Sequence, residues 1–218
     1  MKTYALSHQG HYRSANEDAY LVQDELGLYI VADGIGSMQE SSIASDLIVQ
    51  PFNFANSRQN FADLFQNVKW EILRRHYFLY EQSQKYGNST GATLATLLLN
   101  QQQAGILWAG DSRIYGCQPK TNFFMQLTED DVCGRAITRA VGVEADLQLN
   151  QKIFRLQGGE RFLLCSDGLY KKVSDSEIHF ILKHESPIRA CQKLVDLALQ
   201  RAVRDNITVM IVEHDDVS

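Results

Sequence analysis

Aspartates stand at the ends of four apolar segments of this sequence. Three follow "YIVA", "ILWAG" and "FLLCS", and the fourth precedes "NITVMIV"; they are Asp33, Asp111, Asp167 and Asp205. Each one alone is typical of a turn, because aspartate bonds its own backbone and a neighbouring glycine tolerates positive φ. If these segments are strands whose ends meet, several negative charges lie together and repel one another strongly. The pattern therefore predicts a cation-binding site.

Two further acids and an arginine extend this pattern. Glu17 and Asp18 lie in "NEDAY", just before another apolar segment. Oxygen ligands without a cluster of histidine or cysteine favour Mg²⁺ or Mn²⁺ over Zn²⁺. Two such ions bridged by one carboxylate lower the pKa of a shared water and support an in-line displacement at phosphorus. Arg13, four residues before Glu17, has a planar guanidinium group suited to phosphate oxygens, although alone it would be interpreted as a surface charge.

The first two thirds of the chain contain the elements that must position these residues. Short β segments, "KTYALSHQ", "AYLVQD" and "GLYIVAD", come first. A helical pattern follows from Ser41, and apolar residues near a 3.6-residue period between Phe61 and Leu79 predict a long amphipathic helix that covers a sheet. Strand signals return in "ATLATLLLN", "AGILWAGD", "SRIYGCQ" and "NFFMQL". Their short, regular spacing predicts an antiparallel meander.

The last third contains strands separated by two helices. After "QKIFRL" and "RFLLCSD", one helix begins with a capping box from Ser174 to Glu177, and the next begins at Ser186 and Pro187. The final strand, "NITVMIVE", is apolar on both faces, which predicts that it is covered on both sides. This order of elements predicts an α+β fold with a central β-sandwich of two antiparallel sheets flanked by helices. With nothing that marks a linker, we expect a single domain over residues 1–218.

Composition excludes several classes of protein. The 218 residues are 44% hydrophobic and 22% charged, as in an ordinary globular protein, and a net charge of -5 argues against broad nucleic-acid binding. The four cysteines are far apart, which predicts neither a zinc site nor a disulfide framework. The N-terminus lacks the apolar region of a signal peptide, and no apolar run is long enough to span a bilayer. We expect a cytoplasmic monomer without a nucleic-acid or membrane partner.

Eight motifs in this chain resemble those of one known family. The segments "RSANEDAY", "VADGIGS", "GATLATLLL", "WAGDSRIYG", "QLTEDD", "ITRAVG", "FLLCSDGLY" and "DNITVMIVE" occur in the order found in the metal-dependent protein phosphatases, the type 2C serine/threonine phosphatases. The resemblance covers residues 3 to 213 and is greatest to the compact bacterial members. The fold that it implies, a β-sandwich flanked by helices in four layers (αββα), agrees with the order of the elements.

The resemblance implies a set of ligands for two Mg²⁺ or Mn²⁺ ions. Asp33 would bridge both ions, and the carbonyl oxygen of Gly34 would bind the second. Asp167 and Asp205 would bind the first ion, while Glu17 would reach the second through a water molecule. These positions are matched one by one in the family motifs of this sequence.

The same resemblance implies roles for four neighbouring residues. Arg13 would bind the substrate phosphate. Asp18 would orient water molecules on the ions, and Asn206 would lie just behind the ligands. Asp111, in "GDSR", matches an acid that contributes to a third metal ion in bacterial relatives.

The chain also departs from the family pattern. Only "VCGRA", residues 132–136, stands where the family usually has a longer flap beside the cleft, and "DDV" at 130–132 replaces its usual "DHS". Glycines that are common after the metal-binding Asp-Gly are replaced by Ser37, Glu40 and Ser41. Eukaryotic members often have a histidine, proposed as a general acid, where this chain has Ile35. The nearby histidines are better interpreted as packed or solvated side chains; they are His8 and His11.

The leading hypothesis is an enzyme. It would hydrolyse phosphoserine and phosphothreonine in proteins by direct attack of a metal-bound water or hydroxide, and it would oppose a serine/threonine kinase in bacterial signalling. A cysteine-nucleophile phosphatase is excluded, because Cys165 is followed six residues later by Lys171 rather than by a phosphate-binding arginine. Two alternatives stay open: a pseudophosphatase that binds phosphoproteins without turnover, and a regulatory phosphatase dedicated to one partner. The complete set of ligand positions favours the enzyme over the pseudophosphatase.

Overall fold

Two antiparallel β-sheets form the centre of the protein, in a computed structural model that describes residues 1–36, 41–54, 60–87, 90–134 and 136–215. The first sheet contains, in spatial order, β1 (Lys2–His8), β13 (Ile207–Glu213), β12 (Arg161–Cys165), β7 (Arg113–Gln118) and β8 (Phe123–Gln126). The second contains β11 (Asn150–Arg155), β6 (Gln103–Ala109), β5 (Leu94–Leu99), β3 (Leu28–Ile35) and β2 (Asp18–Gln23), and β4 (Gly91–Ala92) pairs with β3. A separate hairpin joins β9 (Val132–Cys133) to β10 (Ala136–Ile137).

Helices cover the outer face of each sheet. The second sheet packs against α1 (Ser41–Ile48) and α2 (Phe61–Tyr86). The first packs against α3 (Asp167–Tyr170), α4 (Asp175–His184) and α5 (Pro187–Gln200). The predicted α+β fold, with a sandwich of two antiparallel sheets between helices, is therefore confirmed. No helix in these described ranges combines the length and the apolar character needed to cross a membrane.

The long helix α2 has the ends and the buried face that its sequence predicts. Asn60 precedes it, and its side chain accepts a hydrogen bond from the backbone N–H of Asp63 at 2.9 Å. Gly87 ends it at a φ of 70°, which glycine adopts without strain. Phe65 and Ile72 are buried against the second sheet, whereas other positions on the helix face solvent.

The last strand, β13, is buried on both faces, as predicted. Ile207, Val209 and Ile211 belong to the core beneath the helices of the first sheet. Met210 and Val212 point the other way, into the core between the two sheets. This alternation places every second residue of β13 in each apolar layer, so the end of the strand that follows Asp205 is held firmly.

The predicted meander is wrong at one connection. β6 pairs with β5 and β11 in the second sheet, whereas β7 pairs with β12 and β8 in the first. The chain crosses from one sheet to the other through Gly110, Asp111 and Ser112. Both strands are buried on both faces, so the sequence pattern could not show to which sheet each belongs. The crossing places Asp111 at one end of the sandwich.

A buried histidine makes stability sensitive to acid. His76 on α2 is fully buried, and its Nδ1 accepts the backbone N–H of Gly142 at 2.9 Å. Burial lowers the pKa of His76 in the folded state. Below about pH 6.5 the unfolded chain therefore binds a proton at His76 more readily than the folded protein does.

We expect the contribution of His76 to the free energy of unfolding to fall as the pH drops below about 6.5, with a slope of up to about 1.4 kcal/mol per pH unit. Urea unfolding at pH 7 and at pH 5 measures the slope, and His76→Gln should reduce it. An equal slope in the variant would show that His76 does not cause the acid sensitivity.

Candidate active site

Asp33 lies at the centre of the acidic residues that the strand ends bring together. The register of β2 and β3 sets Asp18 directly opposite Asp33. The backbone of Asp33 is fixed by Thr93, which accepts its N–H on Oγ1 at 3.1 Å and donates its own N–H to the Asp33 carbonyl at 2.8 Å. Burial, followed by the charges of Asp18, Asp167, Asp205 and Asp111, raises the pKa of Asp33 well above its usual value. Four other acids therefore lie close enough to act on Asp33, as the strand-end pattern predicts.

Gly34 is required at its position by close packing. Its N–H donates to the carbonyl of Glu17 at 3.1 Å, which ties the end of β3 to the chain before β2. A Cβ at this position would lie 2.5 Å from the carbonyl oxygen of Ser41, at the start of α1. Any side chain here would push α1 away from the acidic cluster.

Glu17 is buried and is held by three neighbours. Its Oε1 accepts the hydroxyl of Ser41 at 2.5 Å, and its Oε2 lies 3.4 Å from the guanidinium group of Arg13. Its backbone N–H donates to Oδ1 of Asn206 at 2.9 Å. Ser41 thus positions a predicted ligand, a role that the sequence did not reveal because the two residues are 24 apart. The other two replaced glycine positions, Ser37 and Glu40, lie outside the described residues.

Asp18 connects the two sheets beneath Asp33. Its Oδ2 accepts the hydroxyl of Ser166 at 2.6 Å, from the residue that follows β12, while its buried Oδ1 has no partner within the described ranges. Burial is the main cause that raises the pKa of Asp18 to about 7. A carboxylate in this position is destabilised unless a proton or a cation neutralises it.

Asp167 begins α3 and presents its two oxygens to different surroundings. Its Oδ2 forms an ion pair with Lys171, one helical turn later. Its Oδ1 is buried and has no hydrogen-bond partner among the described residues. The helix approaches β13 closely, because a Cβ on Gly168 would lie 1.9 Å from the carbonyl oxygen of Asn206. Burial raises the pKa of Asp167 despite the contact with Lys171.

Arg13 and Asp205 form the rim of the site. A guanidinium nitrogen of Arg13 lies 2.7 Å from Oδ1 of Asp205, and the arginine side chain is 39% exposed. Asn206, next to Asp205, donates from Nδ2 to the carbonyls of Gln9 at 2.8 Å and Ala15 at 2.9 Å. Asn206 therefore fixes the loop that carries Arg13, which is a role that its place beside Asp205 does not reveal.

Asp111 lies at the side of the cluster, at the crossing between the sheets. It is buried, and its carbonyl accepts the hydroxyl of Tyr170 at 2.9 Å. Burial raises the pKa of Asp111, and the charge of Lys171 opposes this shift. The guanidinium group of Arg113 stacks on the ring of Tyr170 at 3.5 Å and pairs with Asp130 at 2.7 Å.

The short segment that replaces the family's flap is a small hairpin, β9–β10, anchored by Asp131. The carboxylate of Asp131 accepts the N–H of Gly110 at 3.0 Å, a guanidinium N–H of Arg139 at 2.8 Å and the amide of Asn150 at 3.0 Å. The N–H of Thr138 donates to the carbonyl of Asp131 at 2.8 Å, which closes the hairpin.

The two histidines near the site, His8 and His11, pack on each other with ring centroids 6.0 Å apart. Nδ1 of His8 also accepts the N–H of Gly10.

The donor set fits hard divalent cations. All the candidate ligands are oxygens, and two of the buried oxygens, Oδ1 of Asp18 and Oδ1 of Asp167, lack a partner in the described ranges. As the side chains stand, no three acidic, histidine or cysteine residues in the described part of the chain converge closely enough to hold a metal ion. Arg13 and Lys171 hold two of the carboxylates, those of Asp205 and Asp167, in ion pairs. Both cationic side chains are partly exposed, so these pairs are weak and can rearrange.

Buried carboxylates lie beside an arginine at one end of this β-sandwich. This arrangement is typical of the metal-dependent phosphohydrolases. The family model described as "Protein phosphatase 2C" matches residues 7–201. The chain therefore belongs to the protein phosphatase 2C family, the metal-dependent serine/threonine protein phosphatases. The resemblance seen in the sequence motifs is thus confirmed.

Individual relatives agree with this assignment. The chain is 28% identical to the serine/threonine phosphatase stp of Listeria monocytogenes serotype 4b, over 95% of this chain and 93% of that protein. It is similar to a solved structure described as PppA, a key regulatory component of T6SS in Pseudomonas aeruginosa, with a TM-score of 0.91 and 32% identity over 96% of each chain. The catalytic domain of the phosphatase PstP, solved with two manganese ions, matches with a TM-score of 0.82 and 26% identity over 99% of this chain and 98% of that one.

Proposed function

We propose that this phosphatase acts through two Mg²⁺ or Mn²⁺ ions held at the end of the β-sandwich, with ligands Glu17, Asp33, Gly34, Asp167 and Asp205. The observation that carries the proposal is the set of buried carboxyls with raised pKa values, two of which present oxygens that have no partner among the described residues. Burying several carboxyl groups together costs free energy unless cations neutralise their charge. When bound, the ions lower the pKa of a water molecule and withdraw charge from the phosphate.

The protein's own groups would orient the substrate and the ligands. Arg13 is exposed enough to leave Asp205 and bind phosphate oxygens once cations neutralise the carboxylates. Asp18 would keep its hydrogen bond from Ser166 and orient water molecules with its free oxygen. The candidate position for a third ion lies between Asp111 and Asp167, on the side of the site that Lys171 occupies.

The substrate we propose is a phosphorylated protein, with a serine/threonine kinase as the opposing enzyme. The segment that stands where the family has a longer flap contains only two short strands, β9 and β10, which supports access by a folded partner. The similarity to PppA, described as a regulatory component, supports a regulatory role. We also infer a cytoplasmic monomer. Binding without turnover is not favoured, because the similar proteins are described as serine/threonine phosphatases and every proposed ligand position is present in the sequence.

A peptide panel tests this function. Phosphoserine, phosphothreonine and phosphotyrosine peptides would be incubated with the protein with and without Mn²⁺, and phosphate release would be measured. We expect release from the first two peptides only when Mn²⁺ is present, and loss of release with a chelator. Binding of the peptides without release would identify a binding module instead.

Removal of Arg13 should separate substrate binding from metal binding. We expect Arg13→Ala to raise KM for a phosphothreonine peptide by about 10- to 100-fold, because one charged hydrogen-bonding partner of the phosphate is lost. Mn²⁺ affinity, measured by calorimetry, should not fall, because Arg13 competes with cations for Asp205. Weaker Mn²⁺ binding in the variant would count against this role.

A further inference from the structure

Lys171 lies beside the proposed metal ligands without being one of them. It follows Asp167 by four residues, so α3 places the two side chains on the same side of the helix. The ammonium group pairs with Oδ2 of Asp167, and the buried Oδ1 points elsewhere. One carboxylate can therefore contact the lysine and a divalent ion at the same time.

The same ammonium group lies on the side of the cluster where the charges of Asp111 and Asp205 also act on it. A lysine side chain is positively charged at neutral pH, and the ion pair with Asp167 holds that charge at this side of the site. Its side chain is 55% exposed, so the pair with Asp167 alone contributes little to stability. Lys171 instead changes the electrostatic potential that a divalent cation encounters at this side of the site.

Neighbouring contacts keep Lys171 at this position. Tyr170, the residue before it, donates its hydroxyl to the carbonyl of Asp111 at 2.9 Å. The stacked guanidinium group of Arg113 covers the ring of Tyr170, and Asp130 holds that guanidinium group in turn. The end of α3 is thus fastened to the crossing between the sheets, and Lys171 stays within reach of Asp111 and Asp167.

We propose that Lys171 is a built-in cation of the metal centre, which neutralises the side between Asp167 and Asp111 and so limits the site to two divalent ions. A third divalent ion on this side would meet the ammonium charge at close range and be repelled. In the metal-free protein the same charge relieves the repulsion among the acids. The inference rests on the metal assignment proposed above.

The test is the number of Mn²⁺ ions bound, measured by calorimetry and by elemental analysis of the dialysed protein. We expect two ions in the wild type and a third in Lys171→Met, which removes the charge but keeps a side chain of similar length. The melting temperature of metal-free Lys171→Met should also be about 2 to 4 °C lower, because the acids lose a counter-charge. The matched control is Lys172→Met, since Lys172 makes no ion pair with any described residue.

Each outcome decides the matter. Lys171→Arg keeps the charge and should bind two ions, so a third ion in that variant contradicts the proposal. Two ions in Lys171→Met overturn it whatever the melting temperature, while the two-ion assignment survives. A wild type that binds no Mn²⁺ overturns that assignment and this inference together.

Discussion

Replacement of Asp33 by asparagine is expected to abolish phosphatase activity and to make the metal-free protein more stable. Four neighbouring carboxylates act on Asp33, and its charged form is disfavoured first by burial. Asparagine has nearly the same shape without the charge, so the repulsion disappears in the folded state. The ligand that we propose to be shared by both ions would be lost at the same time. Stability and activity therefore change in opposite directions.

The size of the activity loss should be about a thousandfold or more, because several kcal/mol of charge stabilisation by the ions correspond to that factor in rate. Phosphate release from a phosphothreonine peptide in Mn²⁺ measures it, and thermal unfolding with a chelator measures the stability. Asp46→Asn, an exposed change on α1, is the matched control and should alter neither quantity. An Asp33→Asn enzyme with near-normal turnover would contradict the bridging role.

The second large effect concerns the stability of the metal-free protein as a function of pH. Burial raises the pKa of Asp18 to about 7, so between the ordinary pKa of an aspartate and pH 7 the folded state binds a proton that the unfolded chain does not. Stability from this group is therefore greatest at low pH and is lost as the pH rises to about 7. The loss is on the order of a few kcal/mol.

Urea unfolding in the presence of a chelator, at half-unit steps from pH 4.5 to pH 8, measures this dependence. The His76→Gln background is used because His76 has the opposite pH dependence over part of this range. Asp18→Asn in this background should flatten the curve and stabilise the metal-free protein at pH 8. Saturating Mn²⁺ should stabilise the protein more at pH 8 than at pH 5, because cations replace the lost protons. A curve that rises with pH in the chelator would contradict the buried, uncompensated state of Asp18.

The positions proposed as ligands could be identified from the sequence because each of them lies next to an apolar segment. Asp33, Asp167 and Asp205 follow or precede apolar segments whose pattern identifies them as strands, and the ends of paired strands meet. The register that sets Asp18 opposite Asp33 follows from the short connection between β2 and β3. The apolar pattern of each strand sets the register of its pairing, because only one register buries the apolar face.

The contacts that sequence did not reveal join distant segments. The bonds from Ser41 to Glu17 and from Ser166 to Asp18 span 24 and 148 residues, and small polar residues carry no periodic signal. The position of Lys171 depends on α3, whose four residues are too few for a helical pattern. The crossing at Asp111 was missed because β6 and β7 are apolar on both faces and fit either sheet.

The most direct test of the central claim is the location of Mn²⁺ in crystals of this protein, from anomalous scattering at the manganese absorption edge. The account predicts two peaks at the end of the sandwich, with the carboxylate of Asp33 between them and Asp167 and Asp205 beside one of them. Peaks that lie away from Asp33, or crystals that show none there at saturating Mn²⁺, would contradict it.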